Sequence, residues 1–129
     1  MSDENKALVR KIYDEVLNPR NLDAIETYVA DSQLVENIRR GCFVLYGAFP
    51  DLHSSIEEIV AEGDKVFLRA TSTGTHDGEW MGIPASGRHV AFEYAEVYGV
   101  ADGMVVSYWC LPDMAGLMRQ LTEEPVATA

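Results

Sequence analysis

The hydrophobic pattern of this chain changes its period once, near residue 52, and that change limits the folds open to it. Before this point apolar residues recur every three or four positions, as Leu8, Ile12 and Val16 do, which is the spacing of an amphipathic helix. After it, apolar residues tend to alternate with polar ones, which is the spacing of a strand. Helices followed by strands predict an α+β domain with one curved, mostly antiparallel sheet packed on N-terminal helices.

The boundaries of the N-terminal helices follow from local signals. The first helix should end at Asn18-Pro19, because the residue before a proline avoids the helical conformation. A second, short helix has its apolar positions on one side, at Leu22, Ile25 and Val29. The pattern of residues 34–49 is less regular, and the stretch between Gly41 and Gly47 fits one or two helical turns.

Four strands are expected after residue 52, within residues 56–60, 66–73, 90–100 and 104–111. Asp102-Gly103 is a strong hairpin signal between the last two. A final helix carries its apolar face at Met114, Leu117, Met118 and Leu121. A strongly curved sheet around helices would leave a cavity between the layers, and we expect a pocket there for a small apolar molecule.

The composition excludes several classes of partner. The 129 residues fit one domain spanning residues 1–129, and the net charge of −11 disfavours nucleic acid and anionic membranes, whose phosphates need Lys and Arg. No apolar run is long enough for a membrane span, and the acidic N-terminus is unlike a secretory signal. We therefore expect a cytoplasmic protein in which Cys42 and Cys110 stay free thiols. The three histidines show no metal-ligand spacing.

Four ordered motifs resemble a known family. Residues 74–87 read GTHDGEWMGIPASG and resemble the segment GTHxGEFxGIPPTG of SnoaL-like polyketide cyclases. Residues 5–13 (NKALVRKIY), 48–52 (AFPDL) and 113–121 (DMAGLMRQL) are similar to other segments of the same family. The resemblance covers most of the chain. It departs at residues 33–47, where the family has a longer loop and helix and a His near the position of Glu36.

The resemblance implies a cone-shaped α+β barrel like that of nuclear transport factor 2, a homo-oligomer and no cofactor. It implies an enzyme that closes a ring in a polyketide ester or related ketone by intramolecular aldol addition, with the Asp at the position of Asp113 as acid/base. The departure at residues 33–47 leads us to expect a more open or differently gated pocket mouth.

Asp113 has two interpretations. It follows the fourth strand, and an alternation of two places it on a face with Trp109 and Leu111, where desolvation would favour the protonated form that a general acid needs. Equally, an Asp directly before an amphipathic helix is a favoured N-cap. With the family resemblance we favour the catalytic interpretation, with the carboxylate pointing into the cavity.

Glu96 and Arg69 are further catalytic candidates. Glu96 shares a strand face with Phe92, Tyr94 and Tyr98, and a carboxylate among aromatic residues is costly unless it has a partner. The alternation does not show whether this face points inward. Arg69 interrupts an apolar strand and either pairs with a carboxylate inside or is solvated.

Aromatic residues at these positions could stack on a flat ligand or form plain core. The candidates for substrate binding are Tyr13, Trp80, Phe92, Tyr94, Tyr98 and Trp109, together with His76 as a hydrogen-bond donor or as a backbone contact. Three hypotheses remain: an aldol cyclase, an epoxide hydrolase-like enzyme that uses Asp113, Glu96 and Arg69 together, and a binding module without turnover. A fold alone does not choose between them.

Overall fold

The helical segments lie where the period of the sequence predicts them, except in the third. The computed structural model describes residues 2–123, so Met1 and residues 124–129 of the predicted domain lie outside the described residues. Helix α1 spans Ser2–Ile12 and continues as a π-helical turn over Tyr13–Leu17, and a 3₁₀ helix follows at Leu22–Thr27. Helix α2 spans Ser32–Ala48, and helix α3 spans Met114–Thr122.

Four antiparallel strands form one sheet in the order in which they occur along the chain. Strand β1 spans His53–Glu62, β2 spans Lys65–Thr75, β3 spans His89–Ala101 and β4 spans Met104–Pro112. Asp102 and Gly103 both have positive φ, at 52° and 76°, as a two-residue hairpin turn between twisted strands requires. The predicted α+β class with a curved antiparallel sheet is confirmed.

Two register shifts interrupt the hydrogen-bonded pairing of the strands. The register shifts between Ile56 and Glu58 on β1, and again where β3 meets β4 at Val100 and Gly99. Val100 pairs with Val105 while Gly99 pairs with Ser107, so Val106 is an extra residue on β4. A bulge of this kind bends the strand and exchanges the faces of all residues beyond it.

Residues 33–47 are more regular than the sequence pattern predicts, which fitted only one or two helical turns between Gly41 and Gly47. These residues belong to α2, a regular helix of 17 residues whose N-cap Asp31 accepts a hydrogen bond from the Leu34 amide at 2.8 Å. Gly41 and Gly47 lie inside the helix because packing outweighs their weak helix propensity. Helix α2 therefore forms one wall of the cavity, and a mouth that differs from that of the family stays a prediction.

The core consists of two clusters of buried residues on the inner side of the sheet. One joins α1, the 3₁₀ helix and the sheet around Val16 and Val66, and the other joins the end of α2 to α3 around Phe49 and Leu117. Tyr94 packs against both clusters, and the cavity lies where they meet. Among residues 2–123, no helix is long and apolar enough to cross a membrane.

Candidate functional site

A cavity of about 680 Å³ lies between α2 and the inner face of the sheet. Helix α2 lines one side from Asn37 to Tyr46, and β3 lines the other with Phe92, Tyr94, Glu96 and Tyr98. The loop after β2 closes one end with Trp80. This volume lies within the usual range of small-molecule sites.

The position of Trp80 depends on a close backbone contact. The amides of Asp77 and Gly78 donate to the Ala48 carbonyl at 3.0 and 3.1 Å, which ties the loop to the C-terminal end of α2. A Cβ atom on Gly78 would lie 2.0 Å from the Gly47 carbonyl oxygen, so only glycine permits this approach. The Nε1 atom of Trp80 is buried and has no acceptor among the described residues.

Glu96 is the one carboxyl group, among the described residues, that lines the cavity. Its side chain is 4% exposed, and three tyrosine hydroxyls donate to it. Tyr13 and Tyr98 donate to Oε1, the latter at 3.0 Å, and Tyr108 donates to Oε2. The Tyr94 hydroxyl lies 2.9 Å from that of Tyr13. One carboxyl and four phenols thus form a connected polar cluster on a largely apolar inner face.

Burial dominates the ionisation of this cluster. Desolvation raises the pKa of Glu96 above its usual value, although the hydrogen bonds from Tyr108, Tyr13 and Tyr98 oppose the rise. Desolvation, reinforced by the nearby Glu96 charge, raises the pKa of Tyr94 to about 12. It also raises the pKa values of the other three tyrosines. The phenols therefore stay protonated near neutral pH, and Glu96, which faces the cavity, keeps a proton to higher pH than an exposed glutamate does.

The face of β3 that carries Glu96 and its aromatic neighbours points toward the cavity. The cavity is lined by four of the residues predicted to bind substrate: Trp80, Phe92, Tyr94 and Tyr98. Tyr13 is buried and holds Glu96 in place from the π-helical turn, without lining this cavity. Its predicted contact with a ligand is thus replaced by a contact with the carboxyl group.

Asp113 does not point into the cavity, and our expectation for its position is wrong. The residue is exposed, and its Oδ1 accepts a hydrogen bond from the Gly116 amide at 2.9 Å, as the N-cap of α3. Both carboxylate oxygens lie against Gly116, where an added Cβ would be 2.3 Å from Oδ2. The neighbours Pro112 and Met114 line the cavity, and Asp113 does not. The bulge at Val106 is the reason, because it exchanges the faces of β4.

Arg69 and Trp109 lie on the outer face of the sheet. Arg69 binds Glu58 at 2.9 Å and Glu93 at 2.6 Å, both exposed, and does not approach Glu96. Trp109 is 52% exposed, so its predicted contact with a ligand in the cavity is wrong for the same reason as that of Asp113. The group of Asp113, Glu96 and Arg69 that epoxide opening would need is not assembled.

His76 is a packing residue of the loop after β2. It is fully buried, and its ring packs at a tilt against that of Phe49, with the centroids 5.6 Å apart. Its Nδ1 accepts a hydrogen bond from the Ser86 amide at 3.2 Å. The residue does not line the cavity, so it does not donate to a ligand there. Its predicted alternative role, a contact with the backbone, is the one observed.

Several lining residues were missed by sequence reasoning. Tyr108 and Cys110 face inward because of the β4 bulge, and Cys42 and Tyr46 belong to the part of α2 whose structure the pattern left open. Burial raises the pKa of each thiol to about 11, so both are poor nucleophiles at neutral pH. Within residues 2–123, no three His, Cys, Asp or Glu side chains are grouped so as to hold a metal ion.

Comparison with known proteins agrees with this architecture. The family model of SnoaL-like polyketide cyclases matches residues 7–121. Aklanonic acid methyl ester cyclase DnrD from Streptomyces peucetius is 34% identical over 70 residues, which make up 53% of this chain and 48% of DnrD. The match thus spans about half the length of this relative.

Solved structures match over nearly the whole chain. A protein of Jannaschia sp. CCS1 assigned as a SnoaL-like polyketide cyclase superposes with a TM-score of 0.84 at 25% identity, over 96% of this chain and 95% of the other. AclR from Streptomyces galilaeus, assigned as a hydroxylase, has a TM-score of 0.81 at 30% identity, with 98% and 85% covered. Because the family model covers most of the domain and the fold agrees, this chain belongs to the SnoaL-like polyketide cyclase family.

Proposed function

We propose that this protein is a cyclase-type enzyme that closes a ring in a small, largely apolar polyketide-like ketone or ester by intramolecular aldol addition. The observation that carries the proposal is Glu96, a buried carboxyl group with a raised pKa that faces a cavity of suitable volume. The match to a cyclase, DnrD, supports the reaction class. Glu96 takes the proton-transfer role that the family resemblance suggested for Asp113.

The proton balance of the reaction suits one carboxyl group. The acidic methylene of the substrate reacts as its enol, a C–C bond forms to a carbonyl of the same molecule, and Glu96 donates its proton to the oxygen that becomes a hydroxyl. The Glu96 carboxylate then takes the proton released by the enol oxygen, so the enzyme ends in its initial state. A general acid of this kind contributes about two to four orders of magnitude in rate.

The remaining lining residues supply orientation. The mostly apolar walls exclude water and hold a flexible substrate near its ring-closing conformation. The entropy lost in reaching that conformation is a large part of the barrier to such reactions. The Trp80 indole N–H is a buried donor without an acceptor among the described residues, and it is available to a second substrate oxygen. The tyrosines fix the Glu96 rotamer.

A binding protein without turnover is the second candidate, and the position of Asp113 favours it. The residue that the family uses as acid/base is here engaged by the α3 amide of Gly116. If Glu96 does not act in its place, the cavity binds a ligand and does not change it.

Turnover of an aklanonate-type substrate, offered both as the free acid and as the methyl ester, by two matched variants tests the proposal. Glu96→Gln keeps the side-chain volume and removes the acid, so we expect a loss of about two to four orders of magnitude in kcat with binding retained. Asp113→Asn should lose less than about tenfold, since Asn is also a good N-cap. A large loss in Asp113→Asn with an active Glu96→Gln would overturn the assignment. Tight binding without turnover by the wild type would select the binding protein.

A further inference from the structure

The one basic and the one acidic residue that line the cavity, among the described residues, lie in opposite environments. Glu96 is almost completely buried on β3, whereas Arg40 on α2 is exposed to solvent. The cavity therefore has a cationic side chain at its solvent side and a buried carboxyl group at its inner side, with mostly apolar walls between them. A ligand that matches this arrangement has an anionic group at one end and a neutral polar group at the other.

Arg40 differs from its neighbour Arg39 in what it binds. The Arg39 guanidinium contacts the Leu22 carbonyl at 3.3 Å and Glu26 at 3.4 Å, so it is held against the 3₁₀ helix. Arg40 makes no hydrogen bond or ion pair with any residue between 2 and 123. Its five N–H donors are left for a group outside the chain, and a planar guanidinium fits a carboxylate with two parallel hydrogen bonds.

Asn37 lies one turn before Arg40 on α2 and also lines the cavity. Its Oδ1 accepts a hydrogen bond from Gln33 at 3.0 Å, which leaves its NH₂ group to donate. Two neighbouring side chains thus present donors at the mouth. The chain as a whole carries a charge of −11 and repels anions, so an anionic ligand needs such a local cation.

The inner end imposes the opposite requirement. An anion beside Glu96 would meet a carboxyl group in a desolvated setting, whereas a ketone or hydroxyl oxygen would accept its proton. The apolar walls between the two ends suit rings or an alkyl body.

We propose that the cavity selects an apolar molecule with one free carboxylate, held at the mouth by Arg40 and Asn37, and with a neutral oxygen at Glu96. The orientation of the neutral end rests on the proposed function, while selection of the carboxylate at the mouth stands on α2 alone. A free acid would distinguish this protein from a relative whose name specifies a methyl ester.

A pair of probes that cannot cyclise tests the selection. Anthraquinone-2-carboxylic acid and its methyl ester share the same rings, and titration calorimetry gives their affinities for the wild type, Arg40→Gln and Arg39→Gln. We expect the wild type to prefer the acid by about fivefold or more at low salt, and the preference to shrink toward ~0.5 M NaCl. Arg40→Gln should lose the preference, and Arg39→Gln, the matched control, should keep it.

The inference is overturned if the wild type binds the ester as well as the acid, if Arg40→Gln keeps the preference, or if both variants lose it. Because neither probe reacts, these outcomes do not depend on turnover. Acid preference in a protein without cyclase activity would leave the subsite in place and reject the cyclase. Cyclase activity without a preference for the acid would reject the carboxylate subsite and leave the proposed cyclase function in place.

Discussion

Each face of the sheet carries an exception to the usual polarity of a half-buried sheet. Glu96 and Glu93 are three residues apart on β3 and therefore point to opposite sides. The inner Glu96 is buried among tyrosine hydroxyls, and the outer Glu93 forms an exposed ion pair with Arg69. The same residue type is thus a buried carboxyl group with a raised pKa on one side and a member of an exposed ion pair on the other, because only the inner position is desolvated.

The outer face carries an apolar row. Val60, Phe67, Val97 and Trp109 are successive register partners across all four strands, and three of them are between 46% and 61% exposed. Polar residues thus occupy part of the inside of the sheet, and large apolar side chains occupy the outside. An exposed apolar row of this kind is typical of a surface that another chain covers, and we propose that a second copy of this chain covers it.

Removing the inner carboxylate should have the largest effect. Glu96→Ala leaves the hydroxyls of Tyr13, Tyr98 and Tyr108 without their acceptor, and we expect the free energy of unfolding to fall by about 3 kcal/mol. Glu93→Ala on the outer face should change little, because exposed ion pairs contribute little. Urea unfolding of both variants measures the difference. Equal effects would show that the faces do not differ in the way described.

A charged residue in the apolar row of the outer face should change the oligomeric state and leave the fold intact. We expect the wild type to be a homodimer or a larger closed oligomer of the 14.3 kDa chain. Phe67→Glu should dissociate it, since an interface that buries a phenylalanine loses about 2 kcal/mol per copy when that burial is lost. Light scattering at ~10 μM measures the mass. Thr73→Glu, on the same strand and face but outside the row, is the control. A monomeric wild type would refute the assembly.

The smallest predicted effect is on the pH dependence of stability, to which Glu96 should contribute and Glu93 should not. Folding raises the pKa of Glu96, so above its unfolded value near 4.5 the folded state binds more protons than the unfolded state. The free energy of unfolding should therefore fall as pH rises, by up to ~1.4 kcal/mol per pH unit, until the folded carboxyl ionises.

Glu96→Gln cannot ionise and should lack this decline, whereas Glu93→Gln should keep it. Unfolding in urea at a series of pH values from ~4.5 upward gives the three curves. Parallel curves for wild type and Glu96→Gln would mean that the carboxyl is as easily ionised in the folded protein as in the unfolded chain.

The sequence by itself determined the α+β class, the order of the elements and the grouping of Phe92, Tyr94, Glu96 and Tyr98 on one face. Each of these follows from local period and turn chemistry, which a few neighbouring residues encode. The family motifs also lie in the sequence, and the family they indicated is the one to which the chain belongs.

Tertiary structure decided which face points inward and which carboxyl group faces the cavity. One extra residue at Val106 moved Tyr108 and Cys110 inside and Trp109 outside, and no pattern in the β4 sequence marks that bulge. Packing against the sheet and the 3₁₀ helix completed α2 across two glycines. Asp113 could cap a helix or enter a cavity, and Glu96 could face either way. These choices depend on burial, which a strand acquires only when the rest of the chain packs against it.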